Sequence, residues 1–478
     1  MIRNHASIAR ISGCRWLLIP MLAALLAPIG CASSKKQPQV IYYRGAPSNV
    51  KEFTVDGLRV ILRQTDPGSQ VVSAKLFIDG GLAAIPQGVS PAVQQLALQL
   101  PPLSGPGGMT KEEYRRVLDR LNSGIVPGDD RDYSVMTLRC VLENFDKSWD
   151  LFTGVIMRPK IDPVEFQNAK ERLMIGLRNR FNSPEAYANY LADSAFYHGH
   201  PYGRFAQEPD VAPITEKMLL DYYKSMFVKS RVFLVVVGNI DSASLHNRVA
   251  SSFGELPQGT YIARAVPPPQ NAGKQTLIVR PPYGGGRAVT SYMVARYLAP
   301  NRGDSLYFPM MRLTSFLAGH MFREVRVQRN LSYAPDAEIE FGRSSYGQLT
   351  VSTTLPDSTW RVAKGDVVDL FREIVISEQS IRNGLVGWLT SNYMRQQTAE
   401  SQANEMGIAE LYTGSWKNAF RTLDAIRAIK PAQMNLAARR YLRNFTIVIV
   451  GNPSEIDKSN YRQTAEDASE EIDLSPEG

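Results

Sequence analysis

Apolar and polar positions alternate with two different periods along this chain, and the changes of period outline its elements. From Phe53 to Arg63 the run Phe-Thr-Val-Asp-Gly-Leu-Arg-Val-Ile-Leu-Arg alternates around Asp56-Gly57, which predicts a β-hairpin closed by a two-residue turn. Val71–Asp79 reads as a further strand that ends on Gly80-Gly81, and Tyr133–Leu142 reads as another. Elsewhere the apolar residues recur at helical spacing, predicting helices over 91–100, 111–121, 147–157 and 163 to about 180. Ser90-Pro91 starts the first of these well. A serine hydroxyl can accept from the unpaired N–H groups of the first turn, and proline's fixed φ suits the first helical position.

The pattern runs twice. Phe227-Val-Lys-Ser-Arg-Val-Phe-Leu-Val-Val-Val-Gly238-Asn239 and Tyr441-Leu-Arg-Asn-Phe-Thr-Ile-Val-Ile-Val-Gly451-Asn452 are β-branched runs that both close on Gly-Asn. Each follows a helical stretch opened by similar residues, Ile214-Thr-Glu-Lys and Ile429-Lys-Pro-Ala. Chance readily supplies one valine-rich strand but not helix, strand and Gly-Asn in one order twice. The chain therefore predicts two related α+β domains, 47–256 and 274–456, joined by a Pro-rich linker, 257–273. Residues 31–46 form a polar tether. The acidic stretch 457–478 is nearly free of apolar groups and is expected to be a disordered tail.

Composition changes this picture only at the N-terminus. With 478 residues, 44% hydrophobic and 21% charged, the chain has ordinary globular content. Part of its net charge of +8 belongs to Arg3, Arg10 and Arg15, and no Lys/Arg block with interleaved aromatics supports nucleic-acid binding. Those arginines precede an apolar run of 14 residues, Trp16–Ile29, too short for the ~20 that span a bilayer, so 1–30 reads as an export signal. Gly30-Cys31-Ala32-Ser33-Ser34 resembles a bacterial lipobox, with Pro28 where leucine is usual. Cys31 is thus expected to be the lipidated first residue of an exported, periplasmic or outer-membrane-anchored lipoprotein. An ordinary cleaved signal or an uncleaved anchor is the alternative. Only Cys140 remains in the folded body, so cysteines supply neither a disulfide framework nor a metal site there.

Several segments carry a family resemblance by their order. After the hairpin and Asp79-Gly80-Gly81 come the helix at Ser90, Glu171-Arg172, Asn182-Ser183-Pro184 and His198-Gly-His-Pro-Tyr-Gly-Arg204. The second half adds Phe322-Arg-Glu-Val-Arg-Val-Gln-Arg-Asn-Leu-Ser-Tyr333. Together, over about residues 50–455, they resemble the pitrilysin/insulinase family of zinc peptidases, which includes the mitochondrial processing peptidase. The resemblance implies two homologous domains, each a mainly antiparallel sheet with helices packed on one side.

It also implies where a zinc site would stand. Active members carry His-x-x-Glu-His in the helix after the glycine-rich strand: imidazoles bind the metal, a later glutamate completes the ligands, and the motif glutamate is the general base. Here those positions hold Pro91, Gln94 and Gln95, and the third-ligand position falls on Glu171. Proline has no donor atom, and an amide cannot take up a proton at useful pH. No metal is expected in this chain; zinc is expected in a partner. His198 and His200 fall in the family's structural turn.

Arg326 and Tyr333 match, by their separation, a pair that in resembling peptidases helps to orient the substrate carbonyl and stabilise its developing charge. The alternative is a surface ion pair for Arg326 and core filling for Tyr333. The segment before them, Leu317–Phe322, is shorter than the family's glycine-rich loop. The resulting expectation is a catalytically silent homologue that pairs with a zinc-bearing homologue in an exported peptide-degrading or processing complex. The alternatives are a non-enzymatic binding or scaffold protein of the cell envelope, and residual peptidase activity of this chain alone.

Overall fold

Asp56 and Gly57 both adopt positive φ, 47° and 89°, which is the backbone that closes a two-residue hairpin with the right twist. In the computed structural model they join β1 (Val50–Val55) to β2 (Leu58–Gln64). The structure describes residues 47–270, 275–282 and 290–463. The expected signal 1–30, tether 31–46 with Cys31, the end of the linker and most of the acidic tail lie outside the described residues.

The hairpin belongs to a six-stranded sheet that also contains β3 (Val71–Asp79), β4 (Gly124–Asp129), β5 (Tyr133–Val141) and β6 (Val232–Gly238), in the order β1-β2-β6-β3-β5-β4. Only β2 and β6 run parallel. The second half builds β7 (Gln275–Val279), β8 (Ser291–Leu298), β9 (Asp336–Glu340), β10 (Tyr346–Thr353) and β11 (Thr446–Val450) in the order β7-β11-β8-β10-β9. Again one pair, β7 and β11, is parallel. Position by position this repeats the first sheet from β2 onward, so the duplication seen in the sequence is a duplication of topology.

Strand alternation sends successive side chains to opposite faces. On β3, Val72, Ala74, Leu76 and Ile78 join a core with α1 (Pro91–Ser104), α2 (Lys111–Arg120), α3 (Phe145–Met157) and α4 (Pro163–Asn179). Later helices of the same half contribute to that core too. The other face of the sheet carries Ile61, Phe77, Val235 and Val237, and it is covered from the second half. α5 (Pro184–Phe196), α6 (Glu216–Met226), α7 (Ser242–Phe253) and α8 (Tyr307–Met321) come first in the chain, followed by α9 (Ala399–Thr413) and α10 (Pro431–Tyr441). Of these, α9 lays Ala403, Met406 and Ile408, with Trp416 just beyond its end, on the first sheet. In return, α5 of the first half lays Ala188 and Ala192 against Val294, Val448 and Val450 of the second sheet.

Each half thus packs its own helices on one side of its sheet, and each lends one helix to the far side of the other. Burial of a large apolar side chain contributes about 1.5–3 kcal/mol, so these two shared clusters, with a third formed by Phe196, Tyr197 and Tyr202 of the first half and Tyr346 of the second, carry the cohesion of the seam rather than its polar contacts. The polar groups fix its alignment. Asp132, fully buried in the turn between β4 and β5, accepts hydrogen bonds from the hydroxyls of Tyr202 and Tyr412 (3.1 Å for the latter) and from the backbone N–H of Arg343 (2.8 Å). Asp193 on α5 pairs with Arg131 at 3.0 Å and with the buried Arg296 of β8.

Three details depart from the sequence reading. α1 continues through Pro101-Pro102 to Ser104 instead of stopping at residue 100, because Leu100, both prolines and Ser104 are buried and the Ser104 hydroxyl receives the Asp162 N–H at 2.9 Å. Residues 457–463 are packed, not a tail: Tyr461 is buried, stacks on Trp360 and donates to Asp357 at 2.8 Å. The linker's first part is strapped to the first half, with Pro257 and Gln258 carbonyls accepting from Lys229 and Ser230. Cys140 is a free, buried thiol whose pKa is pushed up to about 11 by that burial.

Candidate functional site

The helix that would carry a zinc motif begins as its sequence suggests. Ser90 is extended, its hydroxyl accepts from Ala92 N–H at 3.2 Å and donates to Asp210 at 2.9 Å, and Pro91 occupies the first helical position. The strand before it ends on a glycine pair for a steric reason. Gly81, at φ +40°, lies so close to the Asp130 carbonyl that an added Cβ would stand 2.3 Å from its oxygen.

One turn into α1, Gln94 is buried at 3% exposure, and its carbonyl oxygen accepts the hydroxyl proton of Tyr222 at 2.9 Å. Tyr222 lies on α6, and burial raises its pKa. A neutral amide–phenol bond therefore occupies the position of the general base. Gln95 is half-buried, whereas Glu171 on α4 is exposed. Among the described residues no group of three or more His, Cys, Asp or Glu converges where a metal could be held. The donor set at Pro91, Gln94, Gln95 and Glu171 does not fit a zinc ion: one position has no donor and another has its donor committed to Tyr222.

The histidine turn is built as a structural joint. His200 is buried with lowered basicity from that burial; its Nδ1 accepts the Tyr202 N–H at 3.1 Å and its Nε2 lies 2.7 Å from the Pro267 carbonyl. This arrangement puts the proton on Nε2 of a neutral ring and uses both nitrogens. Tyr197 and Tyr202 flank the ring. His198 is exposed beside it.

Arg326 and Tyr333, by contrast, come together. After α8 the helix widens into a π-helical stretch, Phe322–Gln328, a distortion frequent at functional sites. It places the Arg326 guanidinium 4.1 Å from the centroid of the Tyr333 ring and 5.0 Å from that of Phe322. Tyr333 is 79% exposed and Phe322 is 47% exposed, so neither fills core. Arg326 forms no ion pair among the described residues, while its neighbours do. Glu324 is held by Arg323 at 2.9 Å and Arg329 at 2.8 Å, and Arg329 reaches Asp366 at 2.6 Å on a second π-helical stretch, Val362–Asp369. These bonds hold the Glu324 carboxyl below its usual pKa. The result is a cation presented between two exposed rings on a segment braced from both sides. The match to the spacing in resembling peptidases pointed to the pair, but the Tyr222 partner of Gln94 carried no comparable sequence signal.

Comparisons with known proteins agree with this architecture. A family model described as Peptidase M16 inactive domain matches residues 213–380. The fold is similar to a peptidase M16 inactive domain from Pseudomonas fluorescens, with 16% identity and TM-score 0.76, covering 84% of this chain and 98% of that one. A protease from Helicobacter pylori is similar at 14% identity and TM-score 0.74, covering 84% of this chain and 99% of that one. The periplasmic protease PqqL from Escherichia coli is similar at 15% identity and TM-score 0.73; 90% of this chain covers 49% of that one, so the chain spans about half of it. No curated protein matches the sequence. Residues 213–380 thus match the M16 inactive-domain model, the described fold is similar to that of M16-type peptidases, and the positions of their zinc motif hold Pro91, Gln94 and Gln95.

Proposed function

We propose that this protein is the catalytically silent half of a paired, exported peptidase. The observation that carries the reading is the exposed stack of Arg326 on Tyr333, kept in presentable form on a chain whose own motif helix has no metal-binding or base groups. A guanidinium and a phenol can both donate to the oxygen of a peptide carbonyl as negative charge develops on it. In this reading they act on a substrate held against a zinc-bearing homologue, which alone holds the metal, and the two chains enclose the peptide between them. The leader-like N-terminus with Cys31 and the likeness to a periplasmic protease support an exported, lipid-anchored location in a bacterium.

The test is reconstitution. The full chain is purified with a zinc-bearing homologue encoded by a neighbouring reading frame, and peptide cleavage is measured for each chain alone and for the mixture. Cleavage by the mixture only, lost with Arg326→Ala or Tyr333→Phe, is the expected result. Stable association in which both variants leave cleavage unchanged would make the protein an assembly surface and end the catalytic part of the proposal.

A further inference from the structure

Each half of the molecule has a cleft at the start of the helix that follows a central strand, α1 in the first half and α8 in the second. Beside α1 the cleft is lined by Ser90, Asp210, Asp221 and Tyr222, with no cation among its lining residues. Beside α8 it is larger, about 600 Å³, and of opposite sign. Arg302 and Arg421 line it together with Tyr307, Phe308 and Tyr412. Its single carboxylate, Asp304, is already engaged, accepting the Leu306 N–H at 2.7 Å and bonding the Tyr441 phenol.

Their surroundings describe a ligand. The Arg302 guanidinium lies 5.8 Å from the ring centroid of Tyr307 and 6.0 Å from that of Tyr412, and its nearest carboxylate, Glu405, is a loose 3.7 Å away. Arg421 is exposed, reaches only the Asn418 side-chain carbonyl at 3.4 Å and forms no ion pair among the described residues. Tyr412 is pinned across the seam to Asp132 at 3.1 Å, which keeps that wall in place. Two guanidinium forks suit one planar anion bidentately. The aromatic walls suit an apolar side chain next to that anion, and the volume lies within the range of small-ligand sites.

We propose that this cleft binds the C-terminal end of a peptide, with its carboxylate between Arg302 and Arg421 and its last side chain, apolar or aromatic, against Tyr307, Phe308 and Tyr412. The assignment of a peptide rests on the peptide-handling reading above, but the binding itself needs no partner chain, so the two can fail separately.

The probe is N-acetyl-Ala-Ala-Phe with a free carboxylate, compared with the same peptide as its C-terminal amide, titrated calorimetrically into the full chain without any homologue. Saturable binding of the acid, at least tenfold weaker binding of the amide, and a tenfold loss with Arg421→Gln or Arg302→Gln are expected. Because Arg421 is exposed, its variant leaves the fold intact, which circular dichroism verifies. Equal affinity for acid and amide, full binding by Arg421→Gln, absence of saturable binding, or complete displacement by inorganic phosphate at equal concentration would each overturn the proposal.

Discussion

The Arg326 guanidinium lies 4.1 Å above the Tyr333 ring, with Phe322 at 5.0 Å. A flat, weakly hydrated cation stacks on an aromatic face; the compact ammonium of lysine holds its water and does not fork. Charge alone therefore does not define this pair. Arg326→Lys is expected to lower kcat/KM of the reconstituted mixture about tenfold or more, equivalent to about 1.4 kcal/mol of transition-state stabilisation. If Arg326→Lys is as active as the parent, the planar stack is irrelevant and only the positive charge matters.

Gln94 offers a test of the lost metal position. Gln94→Ala leaves the buried Tyr222 hydroxyl without its acceptor, and an orphaned buried polar group costs about 1–3 kcal/mol, readable as a lower urea midpoint. The double variant Gln94→Glu, Gln95→His still leaves Pro91 without a donor. The double variant is expected to purify without stoichiometric zinc by elemental analysis, and a full equivalent of bound zinc would refute this account of the donor set.

What could be read beforehand and what could not follows from the range of the interactions. The Asp56-Gly57 hairpin and the strands ending at Gly238 and Gly451 were legible because their signals are local: turn residues, β-branched runs and a repeated order. The lending of α5 and α9 was not. A helix face of alanine and glycine packs equally well on either sheet, and nothing in its own period says which one. The bond between Gln94 and Tyr222 joins residues 128 positions apart, and Pro101-Pro102 reads locally as a helix stop that only the core overrides. At the candidate site, spacing singled out Arg326 and Tyr333. The contact with Phe322, four residues before Arg326, is one that helical spacing allows, whereas the stack on Tyr333 depends on how the chain turns back after the helix ends at Arg329.

Gly407 of α9 lies directly against the first sheet. A Cβ there would stand 2.1 Å from the Phe77 ring, which is fully buried and stacked on Phe233 at 5.1 Å, and so cannot swing aside. Replacing glycine by alanine inside a helix ordinarily gains about 1 kcal/mol. Overpacking a closed core costs about 1–3 kcal/mol and here outweighs that gain. Gly407→Ala is expected to lower the denaturation midpoint and to expose α9 to limited proteolysis. A higher midpoint would mean that α9 does not dock on Phe77.

Lys75 ties the same seam to pH. Lys75 is 6% exposed on β3, and its ammonium lies 3.5 Å from Glu400 of α9, which also receives Arg139 at 3.0 Å. Burial disfavours the charged form and lowers the pKa of Lys75, and the charge of Glu400 only partly offsets this. Between that lowered value and the ordinary lysine value of about 10.4, the unfolded chain holds a proton that the folded one has released. Stability from this group therefore rises with pH across that window, and the cost of burying the ammonium is fully present below the lowered value. Lys75→Met removes the titration, so it is expected to raise the urea midpoint at pH 7 and to remove the group's alkaline rise. Glu400→Gln removes the offsetting charge, which lowers stability at pH 7 and extends the window downward. Midpoints measured from pH 7 to above the lysine range separate the two. If Lys75→Met leaves the slope against pH unchanged, Lys75 keeps its proton through folding, and the seam is insensitive to pH at this position.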